Sequence, residues 1–228
     1  MRVIGNDTSI PRQTVKVASG TVTSGSPVIV NADGTVSSVA TSSVSQSNGS
    51  QVELINDGNS GSNGRRICYN PHYKRSLAVY RKEADNYLYG CIITVTNGTT
   101  VSKGTEHVLF SDHQVREDTV NLIYDAYSKC WILGWTKSTS SHDYGYVRAI
   151  KYNEATADIF INTAIGLMDG NSMHMYKIAS NNAGQIVSVY ENTGNGNGYA
   201  QAKGINPDGS FSGSGTAVTF QGGNPTEG

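Results

Sequence analysis

Three stretches decide the fold: RRICYNPHYKRSLAVY (residues 65–80), NLIYDAYSKCWILGW (121–135) and KIASNNAGQIVSVY (177–190). Each carries a polar turn into an aliphatic run that ends on an aromatic residue. The aromatic ends, Tyr80, Trp135 and Tyr190, stand 55 residues apart and then 55 again. A second set, Tyr89, Tyr144 and Tyr199, keeps that interval, and so does a third, Phe110, Ile165 and Phe220. Three registers agreeing without an insertion define an internal repeat.

Each unit reads as four strands. In the first, a strand near Arg66–Tyr69 turns at NPHYK and returns through Leu77 and Val79, which alternation places on one face. A polar loop, RKEADN, leads to a strand over residues 88–96, the turn TNGTT and a closing strand over 106–110. Asn97-Gly98 is a dipeptide that accepts positive φ and joins hairpin strands. In the third unit NPDGS does this work, and in the second YNEATAD, a turn without glycine. Four strands at a fixed period of tens of residues are the mark of propeller blades or a β-solenoid. The expected fold is all-β: a β-propeller-like array of three ~55-residue repeats plus a small N-terminal β-module.

Composition agrees with many short strands. Charged residues are 15% of the 228 and hydrophobic ones 37%, below the roughly 25% and 45–50% of an average soluble domain. Glycine (26) and tyrosine (13) are abundant. Long periodic helices are excluded, and no run approaches the roughly 20 apolar residues of a membrane span. Seventeen Lys+Arg against 18 Asp+Glu leave a net charge of −1. That provides no basic footprint for nucleic acid and no basic stretch for a membrane surface. MRVIGNDTSIPRQT lacks the apolar core of a signal peptide. Cys68, Cys91 and Cys130 are too few and scattered for a disulfide framework and read as buried thiols made in a reducing cytoplasm.

The expected layout is an N-terminal module (residues 1–40), a connector with a stray outer strand (41–57), three repeats (58–113, 114–168 and 169–222) and a tail (223–228). In the module Val15 and Val17 alternate, as do Val28 and Val30, and NADG marks a turn. SNGSQVELI (47–55) resembles the closing strands GTEHVLF and GTAVTFQ, with Ile55 lying 55 residues before Phe110. It reads as the outer strand of a further blade. Propeller rings use about 4–8 blades, so three units with open edges predict self-association.

Tyr89, Tyr144 and Tyr199 have two readings. As a ring of aromatic platforms they would stack on sugar rings; as residues recurring at blade period they would pack between blades. Tyr80, Trp135 and Tyr190, with Phe110, Ile165 and Phe220, read as structural anchors of the repeat. His107, Asp112, His113, Glu117 and Asp118 are metal-binding residue types, but their spacing fits no ligand motif and they read as a solvated inter-blade loop. His142, Asp143, His72 and His174 are isolated. Asp125 aligns with Asn70 and Ser180, so acidic residues do not recur as a paired set for glycoside hydrolysis. Nucleophile-elbow, P-loop, dinucleotide and paired-cysteine motifs are missing. The expectation is no catalytic residue, no metal and no cofactor.

The theme LIYDAYSKCWILGW–TKSTSSHDYGYVRAI resembles the propeller-type repeats of tail-fibre-like and head-decoration virion proteins of tailed bacteriophages. It covers roughly residues 65–222. ASGTVTSGSPVIVNADGTVSSV is similar to the small β-modules that begin head-decoration and capsid-fibre proteins. The third unit departs, lacking the Tyr-Asp pair and carrying Ala200 after Tyr199. The resemblance implies a non-enzymatic structural protein of the virion, assembled in the host cytoplasm as a capsid-exterior decoration or cement protein. Its implied partners are copies of itself and other virion proteins such as capsid or tail components. The alternative is a tail-associated receptor-binding module recognising a host surface glycan. A propeller glycosidase or lyase is the third reading.

Overall fold

A computed structural model describes residues 20–25, 27–39, 49–54, 64–139, 142–163, 165–166 and 173–222. The chain divides into two compact units, Met1–Ser47 and Asn48–Gly228. In the first, β1 (Val28–Val30) pairs antiparallel with β2 (Val36–Ser38). The NADG turn closes this hairpin: Asp33 accepts from the Thr35 amide at 2.9 Å, and Gly34 takes φ 82°. The expected strand at Val15 and Val17 and the connector at 41–46 lie outside the described residues.

The second unit is all-β among its described residues, apart from one 3-10 turn (Glu117–Thr119). It holds three antiparallel sheets, one per repeat. Sheet 1 contains β3 (Arg66–Asn70), β4 (Arg75–Arg81), β5 (Leu88–Thr96), β6 (Thr100–Lys103) and β7 (His107–Phe110). Sheet 2 contains β8 (Gln114–Val115), β9 (Asn121–Asp125), β10 (Cys130–Ser138), β11 (Asp143–Asn153), β12 (Asp158–Ile161) and β13 (Ile165–Gly166). Sheet 3 contains β14 (Met173–Ser180), β15 (Gln185–Asn192), β16 (Asn197–Ile205), β17 (Phe211–Ser214) and β18 (Val218–Gln221). Each contains two hairpin strands, a third strand, then two short strands that both pair with the third; sheet 2 adds β8, which pairs with β10.

The expected closing strand over 106–110 is β7, and an additional short strand, β6, precedes it. TNGTT joins β5 to β6, not to the closing strand, because Asn97 (φ 51°) and Gly98 (φ 72°) bring Thr100 directly opposite Thr96. The first hairpin turn repeats more faithfully. Lys74, Lys129 and Gly184, spaced by 55 residues, all take positive φ (53°, 60° and 92°).

The sheets pack face to face in chain order. Leu77, Val79, Leu88, Ile92 and Leu109 of sheet 1 form one core with Trp131, Leu133, Trp135 and Ile150 of sheet 2. Cys130, Ile132, Val147 and Ala149, on the other face of sheet 2, form a second core with Ile178, Ile186 and Tyr190 of sheet 3. Each sheet thus has an upstream face, towards the preceding sheet, and a downstream face, towards the next. Nearly every residue of β4 and β10 is buried because both of their faces are covered. Cys91 and Cys130 are buried free thiols, whereas Cys68 is only half-buried. Burial pushes all three thiols up in pKa.

Candidate interaction surfaces

The repeated aromatics form a stacked cross-strand pair in each sheet. Tyr80 faces Tyr89 at a ring separation of 6.3 Å, Trp135 faces Tyr146 at 5.7 Å, and Tyr190 faces Tyr199 at 5.6 Å. Cross-strand neighbours share a face, and here it is the upstream one. The 55-residue reading of Tyr144 is corrected: Tyr144 lies opposite Lys137, and Tyr146 holds the place of Tyr89 and Tyr199. The hairpin between β10 and β11 is two residues longer than its counterparts, since Trp135 to Tyr146 spans eleven positions where Tyr80 to Tyr89 spans nine. The shorter remainder of the repeat restores the period.

The three expected platforms accordingly have different settings. Tyr89 donates to Asp85 at 2.5 Å and carries the Lys82 ammonium 4.0 Å from its ring centre. The hydrogen bond to Asp85, followed by burial, pushes its hydroxyl up to about 12. Tyr199 accepts from Asn195 at 3.1 Å, beside the core between sheets 2 and 3. Tyr144 has the His142 ring 6.1 Å away. Among the closing residues, Phe110 is buried against Trp135 and Tyr146. Ile165 pairs with Val147, and Phe220 is exposed, so the expected anchor role at Phe220 is corrected. Among the described residues no further sheet follows to cover Phe220.

The turn residues Asn70, Asp125 and Ser180 are brought into one inter-sheet network. Asn70 donates to the Lys129 carbonyl at 2.9 Å. Asp125, fully buried, accepts from the amide and hydroxyl of Ser128 at 2.7 and 2.6 Å and from the Ser180 hydroxyl. The Ala126 amide donates to Asn182 at 2.9 Å. An acidic residue at the turn of the middle unit thus joins neighbouring sheets.

Of the acidic and histidine residues near the first inter-sheet link, His113 meets its neighbour Asp112 at 3.1 Å and the others take separate partners. His107 meets Asp158 of sheet 2 at 2.7 Å, and Lys137 holds Asp112 at 2.6 Å. Arg81 takes Glu117, His174 of sheet 3 meets Asp118 at 3.1 Å, and Arg116 binds Asp143 at 3.0 Å. Among the described residues no group of three His, Cys, Asp or Glu is placed to hold a metal ion.

Of the expected stray outer strand, residues 49–54 are described. Residues 49–54 form no ladder; they lie along the β6 side of the upstream face of sheet 1. The Ser50 amide donates to the Thr99 carbonyl at 2.8 Å, and Leu54 packs beside Ala78, Tyr80, Cys91 and Ile93. Lys103 donates to the Leu54 carbonyl at 2.9 Å, and Arg148 of sheet 2 donates to the carbonyl of Leu109, 55 residues on. On this face Glu106 accepts from Tyr80 and Lys82. Burial alone would raise the Glu106 carboxyl, but these hydrogen bonds and the lysines hold it below its ordinary value.

A shallow aromatic cleft of about 490 Å³ escapes the sequence reading. His72 and Tyr73 of sheet 1 line it with Tyr152 and Phe160 of sheet 2. Tyr73 and Tyr152 stand 5.5 Å apart. None of these residues recurs at the repeat period, so that signal was silent on them. No family model matches the chain, and comparison with the curated proteins and with the solved structures finds no match.

Proposed function

We propose that this chain is a non-enzymatic structural protein of a tailed-phage virion, a decoration or cement protein of the capsid exterior built from three propeller-type sheets. One observation carries the reading: residues recurring at the repeat period are spent on packing one sheet against the next. The stacked pairs Tyr80–Tyr89, Trp135–Tyr146 and Tyr190–Tyr199 all lie on upstream faces, two of them in inter-sheet cores. The carboxylates of Asp112, Glu117, Asp118, Asp143 and Asp158 are each held by a cationic or histidine partner. Many modest contacts, summed over a symmetric shell, would supply attachment. In this account the N-terminal unit docks on the particle and the sheets assemble with copies of the chain and with other virion proteins.

Purified full-length protein should co-sediment with empty capsids and saturate at a fixed number of copies per shell. Binding to tails alone, or to neither, would refute the assignment.

The second reading, a tail-associated module for a host surface glycan, draws on the cleft of His72, Tyr73, Tyr152 and Phe160. An aromatic wall beside polar groups suits the apolar face of a sugar. Glycan-array binding lost in Phe160→Ala would favour it over the capsid assignment.

A further inference from the structure

Several positions are buried where the chain supplies the neighbouring sheet and exposed where it does not; on the upstream face of sheet 1, Ala78 and Tyr80 stay buried beside Leu54 and Ile67 does not. On downstream faces, Leu77 of sheet 1 and Ile132 of sheet 2 are each 0% exposed, and their counterpart Val187 of sheet 3 is 37% exposed. Leu109 is 0% exposed, and Phe220, which holds its place in the ladder of sheet 3, is 54% exposed. Val218 adds a further exposed apolar side chain to that face through its pairing with Ala200.

Upstream faces show the mirror of this. The residues opposite Ala78, Leu133 and Ser188 are Ile67, Leu122 and Ile178. Leu122 packs against the first inter-sheet core and Ile178 is buried in the second. Ile67 is 64% exposed. Residues 49–54 cover only the β6 side of this face and leave a cleft of about 420 Å³ lined by Val52, Leu54, Ile67, Ala78 and Tyr80. The array therefore ends in two apolar faces of unlike kind. Inside the chain, faces of these two kinds meet twice, so the docking geometry at the ends continues one already built.

We propose that two copies of the chain close head to tail, the downstream face of sheet 3 in each packing on the upstream face of sheet 1 in the other. The proposal rests on the propeller reading above and not on the virion assignment. Two copies give six sheets, inside the range of about 4–8 that propeller rings use. A head-to-tail contact closes into a ring when its rotation permits and otherwise runs on as a filament. With two heterologous contacts per ring, damage to either face breaks both.

Sedimentation equilibrium of the full chain tests this, with Ile67→Asp and Val187→Asp each placing a charge on one end face. Wild type should weigh twice the 24.3 kDa chain, and each variant should associate at least tenfold more weakly. Emission of Trp131 and Trp135, buried between sheets 1 and 2, reports whether the array itself stands. A monomeric wild type, an open polymer or a variant that dimerises like wild type, with that emission unchanged, would overturn the docking. A change in emission would instead indict the array.

Discussion

Trp135 stands directly opposite Tyr146 across β10 and β11, their rings 5.7 Å apart and 18° from parallel. This pair, not Trp135 with Tyr144, is the middle member of the three stacked pairs. Tyr146→Ala should destabilise the fold by about 2 kcal/mol, the scale of removing a partly buried aromatic from a core. Tyr144→Ala should stay within about 1 kcal/mol, as a substitution outside the cores. Urea denaturation of both variants separates them, and the reverse order would refute the assigned register.

Tyr80 and Tyr190 hold the same place in sheets 1 and 3, yet their hydroxyls differ. Tyr80 donates to Glu106, whereas the buried hydroxyl of Tyr190 has no hydrogen-bond partner among the described residues. Tyr80→Phe should cost about 1.5–3 kcal/mol, the range for a hydrogen bond to a charged group. Tyr190→Phe should be neutral or stabilising, since it removes a buried polar group without a partner. Thermal melts of the two variants should shift in opposite senses or by clearly unequal amounts.

The hairpin turns make a third comparison. Lys129 takes φ 60° where the third unit has Gly184 at φ 92°. Gly184→Ala should destabilise by about 1 kcal/mol because an L residue is strained there, and its Cβ would stand 3.2 Å from the Tyr127 ring. Chemical denaturation of this variant beside Lys129→Gly, which removes strain at the matching place, checks the sign of each.

Stability should fall on both sides of neutrality, for separate reasons. Burial pushes Tyr190 up to about 12, and the Asp85 hydrogen bond with burial does the same to Tyr89. A raised folded-state value stabilises fully below the ordinary tyrosine value near 10 and is lost as pH rises through the raised one. Melting temperature should therefore decline between about pH 10 and 12. Glu106 lies below its ordinary value, so its contribution is present above that value and lost as pH falls through the lowered one. Glu106→Gln should flatten the acid limb and leave the alkaline limb in place.

How far the fold was legible follows from which residues repeat. Period 55 located the sheets because Trp135 and Tyr190 each pack on the preceding sheet and Tyr80 holds the same place in the first. It misassigned Tyr144 because a longer hairpin and a shorter remainder cancel within one unit, leaving the interval intact while the register moves. It missed β6 because Thr100–Lys103 is a four-residue strand directly beyond a turn. The Tyr-Gly pairs were visible, but not one consequence of them: a Cβ at Gly145 would lie 1.9 Å from the Met173 sulfur of the next sheet. The aromatic cleft of Tyr73, Tyr152 and Phe160 was illegible because its two sides come from different units and neither recurs.

The central claim is that three like sheets are stepped around an axis and completed by a second copy. Electron cryomicroscopy of the purified full chain tests it most directly. The account predicts six sheets about a two-fold axis, with successive sheets related by nearly one rotation of about 60°, as a six-bladed ring requires. Sheets related by unequal rotations, or a lone three-sheet particle with both end faces bare, would contradict it.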